Sequence, residues 1–353
     1  MAQKLQSTMA AKEIKIAFFG KLSQRFIKGD YEMLKKHFEV RVLEPPESKV
    51  EWLGYIKKVK KSVKESDVVF GWFAGWHTAP AVYYAKRYGK KSIIVVGGYD
   101  AANEPEINYG SFARLKEKTP AEYVLKNAHV LLAVSNFTKS EILKRVKPND
   151  VRVVYNVVDV ERFKPSGRKE KDLVITVGVV KWNNLKRKGL ETFVRAAEYL
   201  PDTKFVVIGK VMDDSIDYLR KIASKNVQFT GFVSDSELVR WYQRAKVVCQ
   251  LSYYEAFGLA PAEGMACGCI PVVTDKKNGM KEFIGDLGFY VPYGDSKATV
   301  EAIKKALKKS EEWEKRVRER IIRFFTIEKR EKELIEIVRE IHNKTGYNSS
   351  SRS

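Results

Sequence analysis

The sequence predicts an α/β protein built from two tandem doubly wound domains, each a parallel sheet covered by helices. Three observations carry this. The chain has 353 residues, more than one core of roughly 250–300 residues accommodates. Short runs of β-branched residues recur along it with no polar side, as strands buried on both faces of a parallel sheet require. Amphipathic stretches separate these runs, and that alternation is the pattern of doubly wound sheets.

In chain order, the first series places strands at 14–19, 40–43, 68–73, 92–96, 130–134 and 151–154. Helical stretches lie near 50–65, 78–88, 120–127 and 136–146. The rhythm breaks at 159–172, DVERFKPSGRKEKD, which is polar, aperiodic and contains Pro165 and Gly167, so it reads as an interdomain linker. A second series follows, with strands at 173–177, 204–208, 227–229, 247–251, 270–273 and 289–291. Two charged helical stretches, 295–309 and 311–343, lead to a polar, disordered tail, GYNSSSRS. Two such domains in tandem place a cleft between the carboxyl ends of their sheets, where ligands bind in these folds.

Composition narrows the function. Hydrophobic residues are 44% of the chain, which excludes large-scale disorder. Lys and Arg number 65 against 44 Asp and Glu, a formal charge of +21 that suits an anionic partner. No nucleic-acid motif accompanies that charge, so nucleic acid is not expected as a partner. The three cysteines, Cys249, Cys267 and Cys269, have neither zinc nor redox spacing and read as core residues of a reducing, cytoplasmic protein. No apolar run approaches the ~20 residues of a membrane span, and the N-terminus has no apolar signal core. The Lys- and Glu-rich, Gln-poor composition points to a heat-loving source.

Cofactor motifs are missing. No G-x-G-x-x-G follows the first strand and no G-x-x-x-x-G-K-[ST] occurs. The four histidines are scattered, and the sequence lacks Asp-x-Asp, so no metal and no cofactor is expected. A phosphate-bearing ligand would then be neutralised by backbone amides and cationic side chains.

The most informative stretch runs from Ser252 to Gly268, SYYEAFGLAPAEGMACG. A buried strand enters a loop carrying Glu255, and a helix opens near Gly258 with Pro261 tolerated in its first turn. Glu263 falls just over one turn inside. Amides around Phe257, Gly258 and Leu259 can point at an anion or at sugar hydroxyls, and glycine lets a ligand approach closely. Spacing alone leaves the two carboxylates equally readable as solvated acids favoured by the helix dipole.

Glu255 and Glu263, inside E-x-F-G-L-x-x-x-E-x-M-A-x-G, resemble the E-x7-E motif of family 4 glycosyltransferases of GT-B fold. VSNFTKSE from Val134, Tyr155–Asn156 with Asp159, Phe163 and Pro165, Gly178 with Arg187-Lys188-Gly189, Phe229 with Gly231, and PVVT from Pro271 resemble further family segments in family order. The resemblance covers about residues 14–325. It implies two Rossmann-like domains facing a central cleft: an acceptor-side domain over 13–160, a donor domain over 172–325, a C-terminal helix over 326–345 packing back on the first domain, and a tail over 346–353.

It further implies retaining, metal-independent transfer of a hexose from a UDP- or GDP-sugar to a glycan, lipid or small-molecule acceptor. By position, Arg187 and Lys188 would contact the diphosphate, with Lys181 standing in for a family arginine that is Val179 here. Glu263 would bind the ribose hydroxyls, Glu255 and the Phe257–Leu259 amides the donor sugar, and the backbone at Gly209, Lys210 and Val233 the base. A family histidine corresponds to Gly97, so its role does not carry over; Asp100, in an acidic loop with Glu104 and Glu106, is the remaining catalytic candidate beside Glu255. Variants at Glu255 and Glu263 are expected to melt close to the parent, since neither is assigned to the core. A non-catalytic sugar- or nucleotide-binding module, or a phosphorylase or epimerase of the same fold, stays open.

Two patches remain. His77, in GWHT, reads as a helix-start or packing residue, and Trp72, Phe73 and Trp76 as either an acceptor platform or core. Residues 50–64 put Trp52, Ile56, Val59 and Val63 on one helical face among lysines. That pattern fits either an ordinary surface helix or reversible docking on an anionic membrane.

Overall fold

The computed structural model describes residues 14–48 and 50–346; the tail from 347 lies outside the described residues. The chain divides into two units. The first takes the chain up to Tyr155 and again from Glu328, and the second runs from Asn156 to Ile327.

The first unit holds β1 (Lys15–Phe19), β2 (Glu39–Leu43), β3 (Val68–Trp72), β4 (Lys91–Val96), β5 (Val130–Ala133) and β6 (Val151–Val153). They form one sheet in the order β2-β1-β3-β4-β5-β6, and every pairing is parallel. Helices α1 (Arg25–Lys35), α2 (Glu51–Lys64), α3 (Ala79–Arg87), α4 (Leu115–Asn127) and α5 (Asn136–Arg145) connect the strands. β3 and β5 are buried along their whole length, as their unbroken apolar runs require. The α5 start is sealed by Ser135, whose hydroxyl accepts from the Thr138 amide at 3.0 Å.

The apolar stripe of α2 faces this unit's own core. Val59 and Val63 are fully buried with Tyr55, and Trp52 and Ile56 pack against the same cluster beneath β1 and β3. Of the two readings left open for this stretch, the apolar face behaves as the core-facing stripe of an ordinary surface helix.

The second unit repeats the plan with β7 (Glu170–Val177), β8 (Lys204–Ile208), β9 (Val227–Gly231), β10 (Ala245–Gln250), β11 (Ile270–Thr274) and β12 (Phe289–Val291). Its sheet is parallel throughout, in the order β12-β11-β10-β7-β8-β9. The helices are α6 (Trp182–Arg187), α7 (Leu190–Ala196), α8 (Ser215–Ile222), α9 (Asp235–Arg244), α10 (Leu259–Ala266), α11 (Met280–Ile284), α12 (Ser296–Leu307) and α13 (Glu311–Phe324). The strand order reverses between β7 and β10. Segment 159–172 belongs to this unit: Phe163 is 3% exposed and meets the Tyr242 ring edge-on at 5.9 Å.

Periodicity read 311–343 as one helical stretch, while the family resemblance set a separate helix over 326–345; the structure has two helices, α13 and α14 (Ile327–Gly346). Helical periodicity continues across the junction, but tertiary contacts override it. Phe325 leaves helical geometry at φ −131°, ψ 47°, packs on Phe257 and Phe283, and accepts the Val158 amide at 2.9 Å. α14 then joins the first unit. There the Arg330 guanidinium grips both Asp30 oxygens at 2.6 and 2.8 Å, and the Trp72 indole N–H donates to Asp30 at 2.9 Å. All three are buried. Arg330 also donates to the carbonyls of Val154 and Tyr155, at 3.0 and 2.7 Å, at the end of β6.

Candidate functional site

Open α/β sheets bind ligands outside the carboxyl ends of their strands, where strand order reverses. In the second unit that place is the end of β7 beside the end of β10. From β7 the chain passes through Gly178–Lys181 into α6, and Arg187 and Lys188 sit at the turn into α7. Gly189 takes φ +65° there; a Cβ would lie 2.0 Å from the Leu251 carbonyl oxygen, so only glycine lets this turn pack on the end of β10. The Tyr253 amide donates to the Arg187 carbonyl at 2.9 Å and fixes the approach.

This packing brings Lys188 to Glu255 across 67 residues of sequence. The Lys188 Nζ donates to Glu255 Oε2 at 2.6 Å, with the two side chains 18% and 14% exposed. Ser252 donates to the same oxygen at 3.3 Å and receives the Gln250 amide at 2.6 Å. Burial alone would raise the Glu255 pKa, but the charges of Lys188 and Arg187 and the two hydrogen bonds hold it below the ordinary carboxylate value. Burial lowers the Lys188 pKa; Glu255 pulls it back, Arg187 pushes it down, and it stays below the ordinary lysine value. Arg187 is aligned by Asn184, whose Oδ1 accepts from its Nε at 3.0 Å.

Beyond Glu255, the loop is pinned by the Gly279 amide on the Glu255 carbonyl at 2.9 Å. Gly258 caps α10 with φ +97°, and a Cβ there would sit 2.7 Å from Met280 Cγ. Leu259 opens the helix, while the Phe257 ring is core, packed on Phe283 at 4.9 Å. Glu263 lies one turn further in, 7% exposed, and accepts the Tyr242 hydroxyl at 3.2 Å. Gly178 and Gly209 follow β7 and β8, and Gly231 ends the neighbouring β9. Gly209 has φ +157°, and a Cβ would lie 2.1 Å from the Gly178 carbonyl oxygen. Its amide donates to Gly231 at 3.1 Å, and Lys210 accepts the Val180 amide at 2.9 Å. Exposed Lys181 precedes α6 and acts on Asp213, and half-buried Val233 precedes the capping box of α9 beside exposed Phe232.

In the first unit, Asp100 is 1% exposed. Its oxygens accept the Ala74 amide at 2.9 Å and the Gly98 amide at 2.8 Å, tying the loop after β3 to the loop after β4. Burial pushes its pKa up to about 6 against four backbone hydrogen bonds. Glu104 is buried too, so of the expected acidic loop only Glu106 is exposed. Both oxygens of Asp100 thus hold backbone amides. Trp72 is likewise core, bonded to Asp30, and cannot serve an acceptor platform; Trp76 is 57% exposed. The His77 Nε2–H donates to the Trp72 carbonyl at 2.8 Å, a packing role, and burial keeps its pKa below the ordinary value.

Gly97 has a local explanation. A Cβ there would lie 2.2 Å from the Phe73 ring. Phe73 itself takes φ 67°, a left-handed conformation that costs a non-glycine residue energy. Its ring fills the space a side chain at 97 would enter.

The structure thus joins Glu255 to Lys188 beside Arg187 and places Gly258, Leu259 and Glu263 on the same loop and helix. The sequence reading gave no role to Ser252, Gln250 or Tyr242; of these only Ser252, three residues before Glu255, carried a usable signal. Among the described residues no group of three or more His, Cys, Asp or Glu side chains could hold a metal ion. No described helix is long and apolar enough to cross a membrane. The three cysteines are buried and unbridged.

Comparison with known proteins fits this geometry. Residues 157–324 match the family model for glycosyl transferases group 1, and residues 29–162 that for glycosyltransferase family 4. The O-antigen chain mannosyltransferase B of Escherichia coli is 26% identical over 209 residues, 54% of each chain. The N-acetylgalactosamine-N,N'-diacetylbacillosaminyl-diphospho-undecaprenol 4-alpha-N-acetylgalactosaminyltransferase of Campylobacter jejuni is 23% identical over 214 residues, 57% of this chain and 56% of that protein. The chain spans about half the length of the curated relatives it matches. Anabaena HepE, solved with UDP and glucose, superposes with a TM-score of 0.73 at 16% identity, over 93% of this chain and all of that one.

Proposed function

Because this chain belongs to glycosyltransferase family 4, of GT-B fold, we propose that it transfers a hexose from a nucleotide-sugar donor to an acceptor hydroxyl, with retention of anomeric configuration and without a metal. The observation that carries this is the Lys188–Glu255 pair beside Arg187, set where the second sheet reverses its order.

The reaction breaks the bond between the sugar's anomeric carbon and the diphosphate oxygen and forms one to the acceptor oxygen. The acceptor's proton passes to the departing phosphate. Negative charge accumulates on that phosphate, and Arg187 and Lys188 are cations held in place to meet it. Glu255 stays ionised because those cations outweigh its burial. It can therefore stabilise positive charge developing on the sugar ring. Glu263, fixed by Tyr242, would take the ribose hydroxyls, and the glycines at the ends of β7, β8 and β9 would let the base approach the backbone.

UDP- and GDP-sugars are the donors of this reading, and the polyprenol diphosphate in one relative's name supports a lipid-linked or glycan acceptor. A thermal-shift panel of nucleoside diphosphates and nucleotide sugars tests it. Ligand at 100 times its Kd should add ~2.7 kcal/mol of stability, and the stabilising sugar should appear in product with its anomeric configuration kept. A chain stabilised by no nucleotide, or one that inverts the centre, refutes it.

A further inference from the structure

A second concavity lies at the other end of the second unit's sheet. Its volume is about 920 Å³, and its walls are the segment entering β7, the turns entering β10 and β11, and the junction of α12 with α13. All of these lie at the amino ends of strands, whereas Lys188 and Glu255 lie at the carboxyl ends. Neither the fold nor the proposed transfer uses this cavity.

Its charge is one-sided. Eight of the seventeen lining residues are lysine or arginine, and two, Glu311 and Glu314, are acidic. Glu314 is already neutralised by Lys246, whose side chain is 7% exposed and whose Nζ also donates to the Lys309 carbonyl at 2.6 Å. Lys169 is held by the carbonyls of Tyr242 and Ala245 at 3.1 and 2.7 Å. These fixed cations form the inner wall. Arg168, Lys171 and Lys308 are exposed at the cavity, and among the described residues none of the three makes a salt bridge. They reach it from two separate segments, the polar stretch 159–172 and the α12–α13 junction.

Like charges gathered around a concavity repel one another, and the field there is stronger than over a flat surface. The volume falls within the ~300–1,000 Å³ of small-ligand sites. Convergent cations in a hollow suit a compact polyanion better than a flat membrane face. We propose that this cavity binds a small anion carrying two or more phosphate groups, at a site separate from the donor site.

Titration calorimetry with tripolyphosphate at low ionic strength tests this on the whole chain. The parent should bind tripolyphosphate at this site, and Arg168→Ala/Lys171→Ala/Lys308→Ala should weaken that binding about tenfold or more, given charge-assisted contacts. The same variant should bind nucleoside diphosphate and transfer sugar as the parent does. Lys171→Arg/Lys308→Arg, which keeps the charge, should bind tripolyphosphate normally. Arg187→Ala should show the reverse, weakening nucleoside diphosphate and sparing the cavity. Unchanged tripolyphosphate binding in the triple variant overturns the proposal. So does binding lost only with Arg187→Ala, or sedimentation with phosphatidylglycerol vesicles in a chain that ignores tripolyphosphate.

Discussion

Replacing Glu255 with Gln separates what the Lys188–Glu255 pair does for stability from what it does for chemistry. At 2.6 Å, with an effective dielectric constant of about 20, the gross attraction is roughly 6 kcal/mol. Desolvation of both groups offsets much of it, yet removing one partner leaves the other charge buried and uncompensated. Breaking a fully buried pair costs ~3–5 kcal/mol, and the slight exposure here brings the expected loss to about 2–4 kcal/mol. In a unit of this size that is a fall in Tm of roughly 4–16 °C. The structure therefore revises the sequence-based expectation that the variant melts like the parent. Nucleoside diphosphate should narrow the gap, because its phosphates give Lys188 a new partner; the variant should gain more Tm from ligand than the parent. Turnover should still fall by ~10²-fold, since an electrostatic stabiliser of the sugar is gone. Differential scanning calorimetry with and without nucleotide, beside a transfer assay, reads all three quantities. Parental melting combined with parental turnover would refute the reasoning, as would nucleotide binding that collapses in the variant.

Four further outcomes are expected. Glu263→Ala removes bonds to the ribose worth ~1.5–3 kcal/mol and strands the Tyr242 hydroxyl, so calorimetry should show nucleoside diphosphate binding roughly 10–150-fold weaker; normal binding would remove Glu263 from the site. Asp100 has a folded-state pKa raised from 3.8 to about 6, so its contribution is fullest below its unfolded value and is lost as pH rises through about 6. Relative to Asp100→Asn, which does not titrate, the parent should lose up to ~3 kcal/mol of stability between pH 4 and 7 in chemical denaturation, and a flat difference would contradict the buried assignment. Gly97→Ala drives a Cβ into the Phe73 ring and should cost ~1–3 kcal/mol by overpacking, read as a lower chemical-denaturation midpoint; a parental midpoint would contradict the contact. Transfer should survive excess EDTA, and activity lost to chelator and restored by Mg²⁺ or Mn²⁺ would overturn the metal-independent reading.

The strands were legible because most are short apolar runs, many rich in Val and Ile, between polar breaks, a signal local to a few positions. Helix α1 was not read: Ile27, Met33 and Leu34 share one buried face, but Gly29 lowers helical propensity and Asp30 interrupts the apolar stripe. Periodicity did not show the break between α13 and α14, which is made by Phe325 packing on Phe257 and Phe283; only the family resemblance placed a boundary there, at 326. At the site, the loop from Ser252 to Glu263 announced itself through its glycines and acids. The contact between Lys188 and Glu255 did not, because it depends on two turns meeting across the sheet. The bonds of Asp100 to the Ala74 and Gly98 amides were not legible either, because they join the loops after two different strands.

The grip of Arg330 on Asp30 sets a timetable for the newborn chain. The two residues are 300 positions apart, and at ~5–20 residues per second the ribosome needs roughly 15–60 s to deliver the second after the first. Throughout that interval Asp30 and the Trp72 indole lack their guanidinium, and the sheet beside them lacks α14. The second unit is contiguous and can close as soon as its last residue emerges, while the unit made first is the one finished last. A chain that stops after Ile327 but before Arg330 would carry a whole second unit attached to a first unit still lacking α14.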